Sequence, residues 1–65
     1  MSADDVRARL AEICGCDDDN ETAHILEDAL HRDVLLAIAE GAENGKELAK
    51  LALKSRDIDF SRWYA

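Results

Sequence analysis

Proline is absent from the 65 residues, and glycine occurs only at Gly15, Gly41 and Gly45. Chain breakers are therefore few, and long helices can run uninterrupted. Valine, isoleucine and threonine number only seven together, too few for a sheet-built protein. There are two cysteines, and Cys14 and Cys16 flank a single glycine. They are too close in sequence for an unstrained bridge, so a disulfide-stapled secreted scaffold is excluded and reduced thiols are expected. No apolar run approaches the ~20 residues that span a bilayer. The first residues lack the basic-then-apolar pattern of a secretory leader, so a cytoplasmic location is expected. Only three residues are aromatic, all within the last six positions.

What remains is rich in Ala, Leu, Glu, Lys and Arg, the strong helix formers. The chain is 48% apolar, too much for an acidic disordered tail. The formal charge is −7, which opposes non-specific binding to nucleic acid or anionic lipid. That charge is uneven. Met1 to Asp33 carries 10 acids and 3 bases, whereas Val34 to Ala65 carries 5 of each. So short a chain makes one domain with a marginal core, and its stability must come from helix packing, a metal or self-association.

The expected fold is an all-α three-helix bundle, a single domain over 1–65, with helices at about 3–14, 21–40 and 45–54. A tail at 57–64 is expected to pack back as a short turn. Ser2 caps the first helix, and Val6, Leu10 and Ile13 form its apolar stripe. Gly15 ends it, and Asp19 or Asn20 caps the next. The second helix carries Ala23, Leu26, Leu30, Val34, Ala37 and Ile38 at helical spacing. Its end, Val34 to Ala39, is apolar on every side, which calls for burial all round. Asn44 and Glu47 form a capping pattern for the third helix, whose inner face is Leu48, Leu51 and Ala52.

Cys14, Cys16, His24 and His31 are metal-ligand types, but their spacing matches no zinc pattern. A buried Cys14, an exposed Cys16 and two histidines edging the core form the simpler reading. Asp17, Asp19 and Glu21 alternate like the start of a calcium loop, but Thr22 replaces the turn glycine and Asp28 the bidentate glutamate. No metal or other cofactor is expected. Asp28, His31 and Asp33 lack a nucleophile at a fixed nearby position, and no glycine-rich phosphate loop is present. The chain reads as non-enzymatic.

The acids Asp4, Asp5, Asp17, Asp18, Asp19, Glu21, Glu27 and Asp28 form a candidate face for a basic protein partner. Val34, Leu35, Leu36 and Ile38 are candidate core or homodimer contacts. Phe60, Trp63 and Tyr64, spaced as one helical turn, either close the core over Leu53 or anchor a partner. Lys46, Lys50 and Lys54 make a basic stripe that Arg56 extends.

That stripe gives the alternative reading. The segment from Asp33 to Leu51, with its apolar helix, Glu40-Gly41 stop and Lys46-Glu47-Leu48-Ala49 restart, resembles the helix–turn–helix of response-regulator-type DNA-binding domains. The resemblance covers about 19 residues and implies DNA contacts through the basic stripe. In that family a further polar recognition helix follows, where this chain has a short aromatic tail. The expected function is accordingly a small acidic protein-interaction or regulatory module for a basic partner. In size and acidity alone it resembles phage- or prophage-type inhibitors that occupy a basic groove.

Overall fold

The computed structural model describes residues 1–16 and 19–60. Among them, three α-helices pack against one another with no strand: α1 (Ala3–Cys14), α2 (Asn20–Ala39) and α3 (Gly45–Leu53). A 3₁₀ turn, Lys54–Asp57, continues from α3. The bundle follows from the patterning. Val6 and Ile13 of α1, Ala23, Leu30 and Val34 of α2, and Leu48 and Ala52 of α3 form one buried cluster. Each fully buried large aliphatic side chain there contributes about 1.5–3 kcal/mol.

The caps are mostly those the sequence prescribes. The Asp5 N–H donates to Ser2 Oγ, and the Ser2 N–H donates to Asp5 Oδ2, so both orphan donors at the start of α1 are satisfied. Asp19 accepts from the Thr22 N–H at 3.0 Å and caps α2. Asn44 departs from expectation. It flanks α3 but makes no side-chain cap; its amide instead donates to the Met1 carbonyl at 3.3 Å. The fold brings the amino terminus beside the α2–α3 turn, and that carbonyl competes with the local cap. Gly41, at φ 94°, supplies the left-handed residue that turns the chain after α2.

α2 and α3 lie side by side and run in opposite directions. Near the turn, Gly45 meets Ile38 so closely that an added Cβ would sit 3.1 Å from Ile38 Cγ1. At the other end, His31 Nε2 lies 2.8 Å from Ser55 Oγ and 3.3 Å from the Ala52 carbonyl. α1 is tied to α2 by Arg9 Nη1, which donates to Asp33 Oδ2 at 2.8 Å. Ile58 and Phe60 fold back against the core, as expected of the tail, and Trp63 and Tyr64 lie outside the described residues.

The helix bounds match the expected ones to within a residue: α2 ends at Ala39 with Glu40 as its cap, and α3 ends at Leu53 before tightening into the 3₁₀ turn. Two expectations are corrected. Cys14 is exposed and Cys16 half-buried, the reverse of the simpler reading, because Cys14 is one step past the buried Ile13 and turns outward. The apolar end of α2 is not buried all round. Val34 is core, but Leu35 is 67% exposed, Leu36 55% and Ile38 38%. The molecule extends only 15 Å in its thinnest direction, and a helix with side chains is about 10–12 Å across, so α2 has partners on one side only.

Candidate functional site

The acidic residues do not form one surface. Asp4 and Asp5 sit on the first turn of α1, where Asp4 pairs with Arg7 at 2.9 Å. Asp19, Glu21 and Asp28 lie on and before the first half of α2 and are exposed. Asp17 and Asp18 lie outside the described residues. Glu27 leaves the candidate face altogether, being 5% exposed. The signal for this was present: position 27 falls between 23, 30 and 34 on the same stripe of α2. A carboxylate at a core position is easily misread as surface.

Hydrogen bonds set the protonation of three carboxylates. The Ser2 backbone N–H, then its hydroxyl, holds Asp5 below its ordinary value of 3.8. The Thr22 backbone N–H does the same for Asp19. The Arg9 hydrogen bond lowers Asp33. All three pairings lie at helix starts or between helices.

The metal-ligand types do not converge. Cys16 Sγ turns to the Glu12 carbonyl at 3.4 Å, His24 Nε2 lies 3.6 Å from Asp28 Oδ2, and His31 is taken up at the α3 end. Among the described residues no group of three His, Cys, Asp or Glu side chains could hold a metal ion.

Two surface features stand out. The first is a basic hollow of about 750 Å³ between α1 and α3, edged by Arg7, Lys46, Lys50 and Lys54 together with Glu43 and Glu47. Among the described residues the three lysines make no ion pair. Arg56 does not line this hollow, while Arg7 does, a contribution from α1 that no reading of the 33–54 segment alone could supply.

The second is an apolar hollow of about 240 Å³ between α2 and α3, lined by His31, Val34, Leu35, Ile38, Ala49, Ala52 and Leu53. Leu53 is 56% exposed; of the aromatics expected to close over it, Phe60 packs against the core and Trp63 and Tyr64 lie outside the described residues. Leu36 is exposed elsewhere, on the stripe of α2 that it shares with the exposed Ile25, eleven residues back, and not in the hollow. No membrane-spanning role suits these leucines, since no described helix is long and apolar enough to cross a bilayer.

No family model, curated protein or solved structure matches the chain.

Proposed function

We propose that this chain is a small non-enzymatic protein-interaction module whose working surface is the apolar hollow between α2 and α3. The observation that carries the reading is the exposure of Leu35 and Leu53 at 67% and 56%, beside a recess large enough to receive a side chain. Exposed apolar side chains clustered around a recess mark an interaction surface, whereas singly scattered ones do not. A homodimer through the second half of α2 belongs to this reading. Leu35 and Ile38 are its contacts, and Val34 is the core residue beneath them.

The acidic exterior has a separate part. Asp4, Asp5, Asp19, Glu21 and Asp28 are exposed and give a basic partner an attractive field, which speeds encounter more than it strengthens binding. Methyl NMR tests both parts. As concentration rises, or as a basic partner protein is added, the Leu35, Ile38 and Leu53 methyls should shift together. Methyl signals that stay fixed in every case would remove the hollow from the account.

The basic hollow favours a second reading, nucleic-acid binding through Lys46, Lys50 and Lys54 with Arg7. It predicts affinity that falls steeply with salt and is lost in Lys50→Glu. The net charge of −7 weighs against it.

A further inference from the structure

The basic hollow between α1 and α3 shares no residue with the apolar one and has a chemistry of its own. Lys46, Lys50 and Lys54 recur every fourth residue, so they stand on one stripe, about 6 Å apart along the axis and about 12 Å from end to end. All three are exposed, and none makes an ion pair among the described residues. The bases of the other helices differ. Arg7, across the hollow on α1, is held by Asp4 at 2.9 Å, and Arg9 and Arg32 both meet Asp33. Like charges four residues apart destabilise a helix, a cost that an anionic partner reverses. Leu51, half-buried, lies among these charges, and Glu43 and Glu47 share the rim.

We infer that this hollow receives a short acidic segment of another protein, with carboxylates over the lysine stripe and an apolar side chain over Leu51. The charge complementarity is local. Four bases and two acids line the hollow, so the rest of the chain is more acidic still than its net −7. A nucleic-acid strand carries a charge at every residue. It would set phosphates against Glu43 and Glu47, and would run past the stripe onto that acidic exterior. A protein segment ends where the stripe ends. It places carboxylates against the lysines and neutral or basic side chains against Glu43 and Glu47, which rejects partners that are anionic throughout. It also brings the apolar side chain that takes Leu51 and the lysine stems out of water. The inference concerns a face that the apolar hollow does not touch, and neither depends on the other.

The test is a titration of the full-length chain, followed by the backbone amide NMR shifts of α3, with three probes. They are the capped peptide Glu-Glu-Leu-Glu-Glu, the same peptide with alanine at its centre, and a single-stranded thymidine oligonucleotide of equal charge. The leucine peptide is expected to shift Lys46, Lys50, Leu51 and Lys54 together and to weaken as salt rises. It should bind about fivefold tighter than the alanine peptide, and tighter than the oligonucleotide. K50E should lose about tenfold, whereas R56E, which reverses an exposed base outside the hollow, should lose about twofold at most. Circular dichroism checks that both variants stay helical. A leucine peptide that leaves these amides unmoved overturns the inference. Equal losses in K50E and R56E overturn it too, since net charge alone would then explain binding. Equal affinity for the two peptides overturns the part given to Leu51. An oligonucleotide that binds as tightly as the leucine peptide assigns the hollow to nucleic acid instead. Shifts of the same amides with the chain's own concentration, absent in K50E, assign it to a second copy. The methyl test of the apolar hollow is independent of all these results, so the two readings fail separately.

Discussion

Leu30 shows how little slack single positions have. It is fully buried where the three helices meet, with Ala23, Glu27 and Val34 on the same stripe. Leu30→Ala should cost about 2–5 kcal/mol, which is comparable to the whole stability of so small a domain, about 3–10 kcal/mol. Thermal or urea unfolding of the variant checks this; a loss below 1 kcal/mol would mean that the site collapses freely. Ser2→Ala removes the cap that accepts from the Asp5 N–H and should cost about 1 kcal/mol, read as fraying in the first turn of α1. The carboxylates add a pH dependence of defined sign. Asp5, Asp19 and Asp33 all titrate below 3.8 in the folded chain. Their contribution is fully present above 3.8 and is lost as pH falls through the lower folded values. The melting temperature should therefore drop on acidification below that point, and Asp33→Asn should blunt the drop. A melting temperature that stays flat through this range would contradict the role given to these pairings.

At the scale of elements, the boundaries of the helices were largely legible because each rests on local chemistry. Ser2 and Asp19 cap, Gly41 turns the chain, and the 3.6-residue stripes of Val6–Ile13 and Ala23–Leu30–Val34 mark the inner faces. What was not legible depends on residues far apart in sequence. Asn44 meets Met1, Arg9 meets Asp33, and Arg7 joins the lysines of α3 only through packing. The burial of Glu27 was hidden by residue type, and the exposure of Leu35 and Leu36 by the number of neighbours that three short helices can supply. The 3₁₀ turn after α3 belongs with these, since His31 reaches across from α2 to Ser55 within it. His31→Ala should loosen that turn more than the bundle. Amide exchange should accelerate over residues 54–58, with α1 left protected. Uniform acceleration would show instead that His31 supports the fold globally.

At the scale of the molecule, charge and apolar surface are separated. The excess acid lies in the first half of the sequence, while the α2–α3 face carries the exposed Leu35 and Leu53. A chain of net −7 should repel its copies, so association through that face should strengthen as salt rises. The most direct measurement is the wild-type mass by sedimentation equilibrium over a concentration series. The account predicts a rise from one chain to two that stops at two, because a two-fold interface closes. A folded chain that keeps the mass of a monomer at every concentration, or one that grows past two, would contradict it.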